Sequence, residues 1–220
     1  VKVDAILFDF DGVLIESEAS GNAHIAEYLT RSGHPTTREE SMAHFMGLSG
    51  HDFLAAIERW IGRPIPDDFA AEREAENVRC MADGIDAVAG AVAFVRALPA
   101  DLPRAIVSSS RPPWLHRHLD HIGLADAFGD HVYSGAEHVA RGKPAPDLYL
   151  HAAARLGVPI ERCAIIEDSP VGATGAVASG GHVIGLVAGA HCGPGHADRL
   201  RALGVHAIAT DFDEVARLLG

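Results

Sequence analysis

Four sets of residues in this chain have the types and spacing for group-transfer chemistry. Asp9 and Asp11 lie two apart in Phe8-Asp9-Phe10-Asp11-Gly12, and Ser108 follows the apolar run Ala105-Ile106-Val107. Lys143 sits in Gly142-Lys143-Pro144, and Glu167 with Asp168 follows Cys163-Ala164-Ile165-Ile166. Two like charges about 4 Å apart repel by roughly 4 kcal/mol at an effective dielectric of about 20. Clustered, Asp9, Asp11, Glu167 and Asp168 would either raise their own pKa values or recruit a cation. An all-oxygen set with open positions suits Mg²⁺, which keeps waters and accepts a phosphate oxygen. Lys143 adds fixed positive charge and Ser108 a hydroxyl. Ser109-Ser110-Arg111-Pro112-Pro113 opens a helix, whose first amides favour an anion. A carboxylate nucleophile beside a metal, a lysine and a hydroxyl describes phosphoryl transfer through an aspartyl-phosphate.

Such residues work only if the fold brings them together, and the hydropathy pattern says how. Short continuous apolar runs occur at Val3 to Phe8, Ala105 to Val107, His131 to Tyr133, Cys163 to Ile166, Val183 to Val187 and Ala207 to Ile208. Continuous rather than alternating, they suit strands of a parallel sheet buried on both faces. From residue 86 onward helical patterns separate them: Ala91 to Leu98, Trp114 to Ile122 ending at Gly123, and Asp147 to Leu156 ending at Gly157. Asp9, Ser108, Glu167 and Asp168 directly follow strands. In an open α/β sheet the ligand site lies beyond the carboxyl ends of the strands, so these positions converge.

The interval after the first strand carries no strand signal. Ile25 and Leu29 at i, i+4, a capping-box pattern at Thr37 and Glu40, and the stripe Phe53, Ile57, Trp60 and Ile61 make it helical. The stripe is read as core packing, not a cofactor contact. The expected architecture is therefore α/β: residues 1–16 and 84–220 form the core, and residues 17–83 form an inserted all-helical domain.

Composition narrows the partners. In 220 residues, Lys+Arg number 18 against Asp+Glu 30, a net charge of −12, which argues against a protein that coats nucleic acid or anionic membrane. The three cysteines, Cys80, Cys163 and Cys192, have no C-x-x-C spacing, so a reducing cytoplasm fits best. Val1-Lys2-Val3-Asp4 lacks the apolar character of a secretory signal. Ser169 to Ala197 has no Lys, Arg, Asp or Glu, but its eight glycines and two prolines exclude a membrane span of about 18 apolar residues.

Together, Phe8-Asp9-Phe10-Asp11-Gly12-Val13-Leu14, Ser108, Gly142-Lys143-Pro144 and Ile166-Glu167-Asp168-Ser169 resemble the four motifs of the haloacid dehalogenase-like superfamily. The resemblance spans essentially the whole chain and is to the branch with a helical cap after the first strand. It implies a Rossmann-like core and a mobile cap. It also implies that Asp9 is the nucleophile and Asp11 the general acid and later base, with Ser108 and Lys143 holding the phosphoryl group. By the same resemblance Mg²⁺ is bound by Asp9, the main-chain carbonyl of Asp11, and Asp168, with Glu167 in or near its shell. Dehalogenase members lack the second acid, so Asp11 points to a phosphatase or mutase, whose leaving oxygen needs a proton. In similar caps a loop, here Met46 to His51, reaches the substrate, which marks Gly47 and Ser49 beside Ser109, Ser110 and Arg111 as substrate contacts. The β-phosphoglucomutase branch has a basic residue near Gly50, and its absence here favours hydrolysis.

Other readings fit less well. A calcium loop fails because its fifth and twelfth positions would be Val13 and Ser20. Gly142-Lys143 is followed by Pro144, not by the Ser or Thr of a P-loop, and Gly193-Pro194-Gly195 does not directly leave a strand. His116, His118, Asp120 and His121 on one helix read as a solvated face, and Glu16, Ser17 and Glu18 either as the start of the insertion or as residues that position water or metal. A phosphoacceptor signalling module or a silent binding module is the alternative from another class, but a receiver leaves the helical insertion unexplained. The expectation is a monomeric, cytoplasmic Mg²⁺-dependent phosphatase of a small phosphorylated metabolite such as a sugar phosphate, with no nucleic-acid or membrane partner.

Overall fold

The computed structural model describes residues 3–45 and 50–220. Its sheet has strands β1 (Ala5–Phe8), β2 (Arg104–Ser108), β3 (Val132–Ser134), β4 (Cys163–Glu167), β5 (His182–Leu186) and β6 (Ala207–Ala209). The helices are α1 (Ser17–Arg31), α2 (Arg38–Phe45), α3 (Gly50–Ile61), α4 (Phe69–Asp83), α5 (Ala91–Ala97) and α6 (Pro112–His121). They continue with α7 (Ala125–Phe128), α8 (Asp147–Leu156), α9 (Pro170–Ser179), α10 (His196–Ala202) and α11 (Phe212–Leu219). Every strand pairing is parallel, in the order β3-β2-β1-β4-β5-β6. The fold is α/β and Rossmann-like, as the unbroken apolar runs require: β1 and β4 bury every residue.

The register carries the chemistry-bearing residues to one end of the sheet. Phe8 pairs with Ile106 on one side and Ile166 on the other, so Asp9, Ser108 and Glu167 all lie at the carboxyl ends of neighbouring strands. The chain runs outward from β1 to β3 and then returns to start β4 on the other side of β1. This is the topological switch point, where strand ends diverge and leave a crevice. The two faces of β1 are filled differently. Ala5 and Leu7 pack with Tyr149, Ala152 and Ala153 of α8, and Phe8 packs edge-on against Phe94 and Phe128.

The chain divides into two compact units, Val1–Glu16 with Asp86–Gly220, and Ser17–Ile85. The second holds α1 to α4 and, among the described residues, no strand. Its core is Ile25, Tyr28, Leu29, Phe45, Ile57, Ile61 and Phe69, with Phe53 and Trp60 packed against it, so the aromatic stripe is packing. The capping box forms: Thr37 N–H donates to Glu40 Oε2 (2.8 Å) and Glu40 N–H to Thr37 Oγ1 (3.1 Å). Among the described residues, no helix is long and apolar enough to cross a membrane.

Phe8 is fully buried between two aromatic rings directly beneath the strand ends. Phe8→Ala is expected to lower the unfolding free energy by about 3–5 kcal/mol in a urea titration, as a cavity in a tightly packed core does.

Candidate active site

Lys143 is the hub of the strand-end cluster. Its Nζ donates to Asp9 Oδ1 at 2.6 Å and to Glu167 Oε1 at 2.5 Å, with all three side chains less than one-tenth exposed. Glu167 is completely buried, and Tyr149 Oη lies 2.6 Å from its Oε1. Its other oxygen accepts from Ser169 Oγ at 3.2 Å, and Ser169 Oγ in turn accepts from Gly172 N–H at the start of α9. The cradle needs Gly172: a Cβ there would lie 2.0 Å from Glu167 Oε1. Tyr149 and Gly172 escape sequence reasoning because a helical Tyr and a helical Gly both read as packing.

Asp9, Glu167 and Asp168 bring carboxylate oxygens within 4.8 Å of one another, and the set can hold a metal ion. Three carboxylates against the single Lys143 ammonium leave a surplus of two negative charges, the charge a divalent cation would balance. The donor set is all oxygen and so fits a hard cation. Burial and the neighbouring Glu167 push the Asp9 carboxyl well above the usual carboxylate range, against the pull of Lys143. Burial also works against the Lys143 charge, but Asp9 and Glu167 outweigh it and hold the ammonium firmly protonated.

Asp11 belongs to a different network. Its Oδ2 accepts from Ser110 Oγ at 2.6 Å, with Ser108 Oγ at a longer 3.4 Å, and its Oδ1 accepts from Trp114 Nε1 at 3.0 Å. Ser110 N–H donates to Ser108 Oγ at 3.0 Å, which ties the serine turn together. What changes is the expectation of a helix opening that binds an anion. The Ser110 hydroxyl is engaged by Asp11, while Ser109 and Arg111 are exposed. The opening of α6 also offers no array of amides to an anion. Pro112 and Pro113 have no N–H, and the amides of Trp114 and Leu115 donate to the Arg111 carbonyl. Trp114 as a holder of Asp11 is a residue the sequence does not mark.

His118 departs from the solvated-face reading. It is fully buried and stacks edge-on against Trp114 at 4.2 Å, and burial lowers its pKa, whereas His116, Asp120 and His121 are exposed. Glu16 accepts the Ala190 N–H, with its Oε2 at 2.9 Å. Gly47 and Ser49 lie outside the described residues. Asp168 is held by two histidines that the sequence reading did not single out, although His191-Cys192-x₃-His196 has ligand-like spacing. His191 Nε2 is 2.7 Å from Asp168 Oδ2, and His196 Nε2 is 2.5 Å from its carbonyl oxygen.

Comparison with known proteins gives the family. The family profile for haloacid dehalogenase-like hydrolases matches residues 3–180. The chain belongs to the haloacid dehalogenase-like hydrolase family. Among curated relatives of this hydrolase, hexitol phosphatase A of Escherichia coli is 32% identical over 190 residues, 84% of each chain. The 6-phosphogluconate phosphatase of the same organism is 27% identical, covering 88% of this chain and 86% of its own. A crystal structure of a family hydrolase from Deinococcus radiodurans, with bound phosphate and sodium, superposes with a TM-score of 0.87. It is 35% identical and covers 99% of this chain and 95% of its own. Family and relatives make this hydrolase a phosphoric monoester hydrolase.

The raised Asp9 pKa has a testable sign. A carboxyl whose folded pKa exceeds its unfolded value stabilises most below the unfolded pKa, and that contribution is lost as pH rises through the folded one. Chelator-treated protein is therefore expected to lose thermal stability across that window. Asp9→Asn should show a flatter profile when melting is followed against pH.

Proposed function

We propose that this hydrolase is a Mg²⁺-dependent phosphatase that cleaves a small phosphorylated metabolite through an aspartyl-phosphate on Asp9. The observation that carries the reading is Asp9 itself: buried, bonded to Lys143 at 2.6 Å, and set among carboxylates that can hold a metal. Asp9, the main-chain carbonyl of Asp11, and Asp168 would hold Mg²⁺, with Glu167 in or near the shell. Bound there, the ion would supply neutralisation of the carboxylates and of the incoming phosphate.

The chain's own residues then act in two stages. An Asp9 oxygen forms the bond to phosphorus as the bond to the ester oxygen breaks, and Asp11 gives that leaving oxygen its proton. In the second stage Asp11, now a carboxylate, takes a proton from water as the water oxygen attacks phosphorus, releasing phosphate and restoring Asp9. Ser110 and Trp114 orient Asp11 for both transfers, since they hold its two oxygens. Lys143 and Ser108 bind the phosphoryl oxygens, with Lys143 anchored from behind by Glu167. The hexitol and gluconate phosphatases among the relatives support a sugar phosphate as substrate. The three free thiols suit a reducing compartment, and we place the enzyme in the cytoplasm.

Phosphate release from hexitol and sugar phosphates should stop on chelation and return with Mg²⁺. Asp9→Asn should abolish turnover, and Asp11→Asn should slow it by about 10²- to 10⁴-fold. Near-normal rates in Asp9→Asn would remove the nucleophile assignment, and turnover indifferent to chelator would remove the metal.

A further inference from the structure

Behind the catalytic carboxylates lies a second group of ligands of different chemistry. His191, Cys192 and His196 offer ring nitrogens and a thiol within 4.8 Å of one another. The two histidines are buried and Cys192 is half-buried, so the group can be reached through the thiol. Cys192 Sγ lies 3.3 Å from His191 Nε2, the same atom that is 2.7 Å from Asp168 Oδ2. His196 Nε2 meets the Asp168 carbonyl at 2.5 Å, and its Nδ1 is capped by the exposed Arg199 guanidinium at 3.0 Å. A hydrogen bond from one ring nitrogen to a main-chain carbonyl is the usual way a ligating imidazole is fixed.

The position of the His191 ring is built in by glycines on two sides. A Cβ on Gly189 would lie 2.5 Å from its Cε1, and one on Gly12, whose φ is +81°, would lie 2.9 Å from the same atom. Metal–nitrogen and metal–oxygen bonds of about 2.0 Å and a metal–sulfur bond of about 2.3 Å give tetrahedral edges near 3.3 Å and 3.5 Å. The observed N–O and N–S separations of 2.7 and 3.3 Å fall short of these by about half an ångström and a few tenths. On these two edges only a small opening is needed for an ion, and His196 lies within 4.8 Å of the other two side chains.

We propose that His191, Cys192 and His196, with Asp168 as fourth ligand, form a second metal site for a zinc-class divalent ion. Two imidazoles and a thiolate select such an ion over Mg²⁺, which prefers oxygen. On binding, the Cys192 S–H proton goes to solvent, the ring proton of neutral His191 sits on Nδ1 so that Nε2 can ligate, and the exposed Arg199 releases His196 Nδ1 to the metal and turns to water. Asp168 is then claimed from both sides, so the ion weakens Mg²⁺ binding at the catalytic carboxylates and inhibits turnover. By reciprocity Mg²⁺ weakens the zinc-class ion equally. The inhibitory half rests on the phosphatase reading above; the site itself does not.

Co²⁺ serves as the probe, because a cobalt–thiolate bond gives a charge-transfer absorption that carboxylate or imidazole ligation alone does not. Titration of the metal-free full chain should produce that band in wild type and equally in Asp9→Asn. It should be absent in Cys192→Ser and present in Cys80→Ser. Absence of the band in wild type, or its persistence in Cys192→Ser of native circular dichroism, overturns the site. In the assay with saturating Mg²⁺, Zn²⁺ should inhibit wild type, and Cys192→Ser should keep its Mg²⁺-dependent rate but need at least the roughly 10- to 100-fold more Zn²⁺ that losing even an outer-shell partner costs. Equal inhibition of both proteins would overturn the coupling through Asp168 and place Zn²⁺ at the catalytic carboxylates. An active Asp9→Asn would sink the phosphatase mechanism while leaving the cobalt result standing, so the two failures are distinguishable.

Discussion

The site turns on one buried ammonium. Lys143 Nζ sits between Asp9 and Glu167 and bonds to both, which offsets the cost of burying two acidic side chains so close together. The geometry around it is over-determined. Tyr149 and Ser169 engage the same glutamate, and Gly172 leaves it room where any side chain would collide. The sheet supplies the rest, because the switch point next to β1 sets Asp9 and Glu167 on adjacent strands with no loop to absorb error.

Charge around this pair is left unbalanced in a way that suits its chemistry. Lys143 offsets one of three carboxylates, and burial together with the neighbouring Glu167 resists ionisation of Asp9. A divalent cation held there would favour the carboxylate form of Asp9, so a metal and Asp9 would be two parts of one electrostatic arrangement. Asp11 is held apart from the cluster by Ser110 and Trp114. The acidic composition would thus have a local use: a cation held at these carboxylates would let an anionic protein meet an anionic phosphate.

Much of the fold is legible in the sequence because burial on both faces leaves a plain mark. All six strands coincide with continuous apolar runs, and the capping box at Thr37 and Glu40 forms as its spacing requires. Strand limits are less legible. β1 starts at Ala5 and not Val3, and β5 covers His182 to Leu186, one residue earlier than its apolar run, because ladder partners set where a strand begins. His118 shows the same limit for a side chain. On a helix it reads as solvated, yet the Trp114 ring that faces it makes its position part of the interior.

What the sequence by itself determined was the set of reactive groups and the sheet that gathers them. Asp9, Ser108, Glu167 and Asp168 end apolar runs, and parallel strands bring such ends to one edge. What only the tertiary structure decided was the partner of each group. Asp11 goes to Trp114 and Ser110, Glu167 to Tyr149, and Asp168 to His191 and His196. These contacts join residues up to 103 positions apart. Hydrophobic periodicity records which face of an element is buried, but it holds no record of which polar group waits there.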